Sequence, residues 1–201
     1  TGVQTCALPI LFGTDYCLGV DTALNVIRES IDDIRDTAAS FKRAFVIETM
    51  GRDCGYLALV SALTSGAEMV VIPEVKNNFD ALKERFKAEI KDGRSYILAI
   101  VAEGANMAHE VSDWFVNEIG MESRVSTIGH IQRGGSPSVY DRLMAFEFAK
   151  LAIDKLMLKA DDKNVIVYKE SKFDFVSIDY INSQKYQIKP DLLKLAGKIL
   201  G

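Results

Sequence analysis

Four short apolar runs in this chain are each followed at once by residues able to do chemistry. Ala44-Phe45-Val46-Ile47 runs into Glu48, Met50, Gly51 and Arg52. The run at 69–72 is followed by Pro73 and Glu74, and the run at 97–102 by Glu103, Gly104 and Asn106. The run at 124–128 is followed by Gly129, His130, Gln132, Arg133, Gly134 and Gly135. If these runs are parallel strands, their carboxyl ends share one edge, and ligands of open α/β sheets sit beyond that edge. Such a collection suits a phosphorylated, polyhydroxylated ligand. Arginine offers a fixed fork of donors to phosphate, and glycines let backbone N–H groups approach an anion. A carboxylate such as Glu103 accepts from sugar hydroxyls, and Glu74 could hold Mg²⁺ directly or through water. Arg43 and Arg124 stand at strand starts, which puts them at the opposite end or at an interface. Each residue has a plainer reading: an arginine in an ion pair, His130 in a structural role, a lone Glu as a loop residue or helix cap. No Walker A, GxGxxG, GxSxG, HExxH or EF-hand signature is present. Spacing alone therefore supports an α/β phosphate-binding domain without naming a reaction.

The elements that must position these groups follow from periodicity. Val20, Leu24, Ile27, Ile31 and Ile34 predict a helix over 20–35. A strand at 44–47, a glycine-rich turn and a helix over 56–63 ended by Gly66 come next. A strand over 69–74, a helix carrying Phe79, Leu82, Phe86 and Ile90, and a strand over 97–102 follow. Val111, Trp114, Phe115 and Ile119 mark another helix, and residues 124–131 another strand. Ser138 with Asp141 reads as a capping box opening a helix that ends near Leu158. Val165 to Val167 is a late strand, and Pro190 opens a short helix. Strands alternating with helices predict an α/β three-layer sandwich with a largely parallel sheet. The strands are continuous in apolarity, as expected of a sheet covered on both faces.

Composition sets outer bounds. The 201 residues hold 24 Lys+Arg against 28 Asp+Glu, a net charge of −4, and 48 % apolar residues. That excludes a disordered chain, and no apolar run is long enough to span a membrane. Mild acidity gives no whole-chain attraction to nucleic acid. Cys6, Cys17 and Cys54 are odd in number and widely spaced, which argues against a disulfide framework and fits a reducing compartment. The opening TGVQTCALPI lacks the basic region of a signal peptide. Its VQTCALPI run resembles a translated sequencing-adapter tail, so residues 1–12 are expected to be an artefact plus junction.

GTDYCLG at 13–19, ETMGRDCG at 48–55, VVIPE at 70–74 and IGHIQRGGSPS at 128–138 occur in one order and spacing. With them the chain resembles the bacterial-type ATP-dependent 6-phosphofructokinases. The resemblance implies a cytoplasmic glycolytic enzyme that phosphorylates the 1-hydroxyl of fructose 6-phosphate with ATP and Mg²⁺. It implies that Arg52 stabilises the transferred phosphoryl group, that Met50 and Gly51 contact the sugar, and that Glu103 holds a sugar hydroxyl. His130 and Arg133 would bind the 6-phosphate. Arg43 and Arg124 would reach it from a neighbouring subunit, so that the full site exists only in a homo-oligomer, typically a tetramer. Arg35 and Arg94 would belong to an effector site for ADP or phosphoenolpyruvate, with Glu74 on its Mg²⁺. An acidic Asp92 beside Arg94 should weaken that binding.

The resemblance also implies what the chain does not show. The family's TIDND segment, whose first aspartate is the general base, should precede GTDY, where residues 6–12 read CALPILF. Neither Asp15 nor Asp21 replaces it; Asp21 is expected to cap the following helix and Asp15 to hold a turn. With the ATP loops also unmatched, the chain is expected to be an inactive fragment with an incomplete first domain and exposed apolar faces. Residues 13–140 would form mainly the sugar-phosphate (second) domain, and 141–201 would pack back on the first. The competing readings are a pyrophosphate-dependent phosphofructokinase and a non-catalytic sugar-phosphate-binding domain.

Overall fold

The computed structural model describes residues 11–158 and 163–201, so residues 1–10 of the expected junction lie outside the described residues. The chain divides into two compact units. Of the described residues, one unit comprises those up to 23 together with those between 135 and 187; the other comprises 24–134 with 188–201.

The second unit is built on four parallel strands in the order β2-β3-β1-β4. They are β1 (Ala44–Thr49), β2 (Met69–Val71), β3 (Ile97–Ala102) and β4 (Ser123–Thr127). β1 lies between β3 and β4, with Ala44 opposite both Ile97 and Ser123. All six residues of β3 are buried. Successive side chains point to opposite faces, so a strand buried throughout needs cover on both sides. On one face Val46, Ala99 and Val101 pack with Leu82 and Phe86 of α3 (Phe79–Lys91), Val111 of α4 (Ala108–Trp114) and Phe115. α2 (Tyr56–Ser65) lies against β1, β2 and β3. The predicted α/β layering with a parallel sheet is therefore observed.

Several boundaries differ from the sequence reading, each for a local reason. α1 (Val20–Phe41) runs past residue 35 because Ala38 continues the buried stripe of Ile27 and Ile31, and it stops before Lys42 at φ +51°. β2 ends at Val71, since Pro73 has no N–H to give a ladder and the Val75 N–H turns back to the Ile72 carbonyl. β4 ends at Thr127; residues 129–133 form a 3₁₀ turn rather than more strand. α4 starts at Ala108 and continues as one π turn over Phe115–Ile119, closed by Gly120 at φ +77°. After α7 (Pro190–Leu195) and α8 (Gly197–Leu200), the chain end is tied to the sheet unit by Asn77, whose amide donates to the carbonyls of Val70 and Leu200.

The first unit holds α5 (Val139–Met157), α6 (Ile178–Asn182) and an antiparallel hairpin of β5 (Asn164–Lys169) and β6 (Lys172–Ser177). β6 and α6 have no counterpart in the sequence reading. The hairpin turns at Glu170 (φ +50°) and Ser171 (φ +63°), left-handed positions usually marked by Asn or Gly. Ser138 accepts the Asp141 N–H as an N-cap, but the Asp141 carboxylate does not complete a capping box. It is buried instead, accepting from the Tyr16 hydroxyl, the Gly19 N–H at 2.6 Å, the Thr22 N–H at 2.8 Å and the Thr22 hydroxyl. Burial pushes this carboxyl up, but the bonds from Thr22, Tyr16 and Gly19 prevail and hold it below the ordinary range. The Tyr16 phenol is driven far up, by burial and by that same carboxylate. Asp15 holds a turn as expected, accepting the Glu170 N–H, whereas Asp21 lies inside the first turn of α1 rather than at its cap. α5 leaves Val139, Leu143, Phe146, Ile153 and Met157 each more than half exposed. No helix among the described residues is long and apolar enough to cross a membrane.

Candidate functional site

The loop joining β1 to α2 carries Met50, Gly51 and Arg52, and three neighbouring strand ends hold it in place. Gln132, 1 % exposed, grips Met50 twice: its Oε1 accepts the Met50 N–H at 2.9 Å and its Nε2 donates to the Met50 carbonyl at 3.1 Å. Glu103 accepts the Gly51 N–H at 3.0 Å and the Arg52 N–H at 2.6 Å, both on Oε1. Glu74 takes the Gly55 N–H on both oxygens, at 2.9 and 3.1 Å, just before α2 begins. Arg52 itself sits at φ +51°, uncommon for a side chain with a Cβ. Gly104 lies so close behind it that a Cβ there would overlap the Arg52 carbonyl. The N–H groups of Met50, Gly51 and Arg52 are thus all bonded to side chains while the Arg52 side chain is exposed.

The same edge carries the 3₁₀ turn over Gly129–Arg133, with His130 exposed and Arg133 half-buried. Its backbone is joined to β1 by the Ile128 N–H, which donates to the Glu48 carbonyl at 3.0 Å. The Thr127 hydroxyl reaches Glu48 at 3.3 Å. Arg52, Glu103, His130 and Arg133 all follow strands at this carboxyl edge. Arginine and histidine donors beside a loop of fixed backbone can bind a phosphate and orient a polyol against it.

The other sequence candidates fall at the opposite edge and are engaged there. Arg43 donates to Glu122 at 2.7 Å, and Arg124 donates to the other oxygen of the same carboxylate. Arg94 pairs with Glu68 and, at 2.8 Å, with Glu89. The second Glu68 oxygen accepts the Leu98 N–H at 2.8 Å. Arg35 pairs with Asp32 at 3.5 Å and donates to the Ser65 carbonyl at the end of α2. A cleft of about 430 Å³ at this edge is lined by Lys42, Arg94, Ser95 and Glu122 among others. Asp92 and Arg94 line an adjoining hollow. Glu74 lies away from Arg94, on Gly55, and no group of three His, Cys, Asp or Glu side chains able to hold a metal gathers among the described residues.

Gln132 stands in the sequence among the strand-end residues, but its burial and its hold on Met50 leave no trace in the QRGG run. Glu68 gave no signal, since a single Glu before a strand looks like any surface residue.

The phosphofructokinase family model matches residues 11–156. The chain is 54 % identical over 203 aligned residues to the ATP-dependent 6-phosphofructokinase of Sulfurimonas denitrificans, covering 98 % of this chain and 63 % of that protein. It therefore spans less than two thirds of that relative's length. Among solved structures, a phosphofructokinase of Saccharomyces cerevisiae superposes with a TM-score of 0.78 at 29 % identity, over 85 % of this chain and 24 % of that one. The pyrophosphate-dependent phosphofructokinase of Marinobacter aquaeolei superposes with a TM-score of 0.73 at 19 % identity, over 95 % of this chain and 57 % of that one, a likeness of fold alone.

Proposed function

The chain belongs to the phosphofructokinase family, and on that premise we propose that the whole protein transfers the γ-phosphoryl group of ATP to the 1-hydroxyl of fructose 6-phosphate. The observation that carries this reading is the carboxyl-edge loop, whose backbone is held by Glu103 and Gln132 while Arg52 stays exposed on the same sheet edge as His130 and Arg133.

In this reading His130 and Arg133 take the 6-phosphate, and Met50 and Gly51 lie along the sugar. Glu103 holds a hydroxyl with the oxygen that the loop amides do not use. Arg52 neutralises charge developing on the phosphoryl oxygens, where a pre-placed cation costs no reorganisation at the moment of transfer. Mg²⁺ would arrive with the nucleotide phosphates, as that ion usually does, since the described residues build no cage for it. Arg43 and Arg124 would complete the phosphate site from a neighbouring subunit, using guanidinium donors not spent on Glu122. An effector such as ADP or phosphoenolpyruvate would have to compete with Glu68 and Glu89 for Arg94, and would meet Asp92. Residues 6–12 read CALPILF and offer no carboxylate for the general base that the family places ahead of GTDY. No observation here favours pyrophosphate as donor.

Calorimetric titration of the chain with fructose 6-phosphate tests the reading. Saturable binding, weakened about tenfold or more by Arg133→Ala, supports it, because losing one charge-assisted phosphate contact is worth at least that factor. Absence of binding, or binding indifferent to Arg133→Ala, overturns it.

A further inference from the structure

Three carboxyl-edge side chains hold the loop that joins β1 to α2, but they are not equivalent. Glu103 and Glu74 come from segments that carry none of the phosphate-binding candidates. Gln132 lies between His130 and Arg133 in the same 3₁₀ turn, and it is the only one of the three that is buried. Its amide engages both backbone polar groups of Met50, accepting from the N–H and donating to the carbonyl. The two bonds hold the two peptide units that flank the Met50 Cα, the second of which leads into Gly51. A shift of the turn must then either carry Met50 along or break both bonds. Breaking them would leave a buried amide unsatisfied, which is costly.

We infer that Gln132 is a positioning residue that couples the anion-binding turn to the arginine loop, so that a phosphate seated on His130 and Arg133 fixes the backbone from which Arg52 projects. The inference rests on the sugar-phosphate reading of the turn. Its structural half, that Gln132 sets the order of Gly51 and Arg52 although their own N–H groups bond to Glu103, does not. Gln132 touches no substrate atom in this account; it acts through Met50.

The test follows backbone amides of the full 201-residue chain by NMR, with inorganic phosphate as the probe, since it lacks the sugar that would touch Met50 and Gly51 directly, and chloride at equal ionic strength as control. In the unsubstituted chain, phosphate is expected to move the amides of 129–134 and of 50–52 with one apparent affinity. Gln132→Met keeps length and apolar packing but removes both bonds. It should leave the shifts at 129–134 in place, reduce those at 50–52 severalfold, and raise hydrogen exchange at Gly51 and Arg52 about tenfold relative to the β1 amides at 45–47. A merely structural loss of stability would raise both sets together. Where Gln132→Met fails to fold, Gln132→Leu, which also removes both bonds with a smaller side chain, serves in its place with the same expected pattern. Shifts at 50–52 that still follow those at 129–134 in the variant overturn the coupling. If phosphate moves neither segment of the unsubstituted chain, the anion-binding reading of the turn fails. The coupling is then decided by exchange alone: a selective rise at Gly51 and Arg52 upholds it, and unchanged exchange there overturns it.

Discussion

The two edges of the parallel sheet use charge in opposite ways. At the carboxyl edge the carboxylates of Glu103 and Glu74 and the amide of Gln132 are spent on backbone groups, and the Arg52 side chain is exposed. At the amino edge the arginines themselves are spent: Arg43 and Arg124 on one Glu122, Arg94 on Glu68 and Glu89. One edge fixes its main chain to display a cation; the other neutralises its cations to fix side chains. Counting arginines would rank the amino edge as the better anion site. Following their partners ranks it lower, because an anion arriving there must compete with carboxylates already in contact.

Breaking the carboxyl edge should cost most. Gly104→Ala forces a methyl group against the Arg52 carbonyl, a backbone atom that cannot swing aside. We expect a loss of about 2–4 kcal/mol in denaturant unfolding, the range of severe overpacking and backbone strain, with amide shifts centred on 51–53. Next is Asp141→Asn in the other unit. It removes a buried charge that accepts from Tyr16, Gly19 and Thr22, for an expected loss of about 2 kcal/mol, typical of hydrogen bonds to a buried ionised group. The pH dependence follows from its lowered pKa. The Asp141 contribution is fully present above the unfolded-state carboxyl range and disappears as pH falls through the lower folded value. Thermal melts of both proteins should therefore converge toward acid.

The parallel layers were legible from sequence because β1 and β3 are uninterrupted apolar runs and α1 and α3 keep a clean helical period. The strand-end rule then placed Arg52, Glu103, His130 and Arg133 on one edge and Arg43 and Arg124 on the other. What stayed hidden depends on partners far apart in sequence. Gln132 finds Met50 across 82 residues, and Asp141 finds Gly19 across 122. Neither leaves a trace in local periodicity. The β5–β6 hairpin was missed because Glu170 and Ser171 adopt left-handed conformations that their types do not advertise.

Smaller effects sharpen the contrast. Glu103→Ala strips the acceptor from the Gly51 and Arg52 N–H groups at a half-exposed position, where water can replace it. About 1 kcal/mol of stability is expected to go, together with a larger fractional loss of fructose 6-phosphate affinity in calorimetry. Glu122→Ala releases Arg43 and Arg124 at an exposed site, where such pairs contribute little. Stability should change by less than about 0.5 kcal/mol in the same unfolding assay. A drop of several kcal/mol would show that the amino edge is a structural core rather than a neutralised surface.

The most direct measurement follows the side-chain Nε–Hε resonances of the arginines while fructose 6-phosphate is titrated into the chain. Saturable shifts are expected at Arg52 and Arg133, with Arg35 and Arg94 unmoved. Shifts confined to Arg35 and Arg94, with Arg52 and Arg133 silent, would put the phosphate at the amino edge and overturn the assignment of the carboxyl edge as the phosphate site.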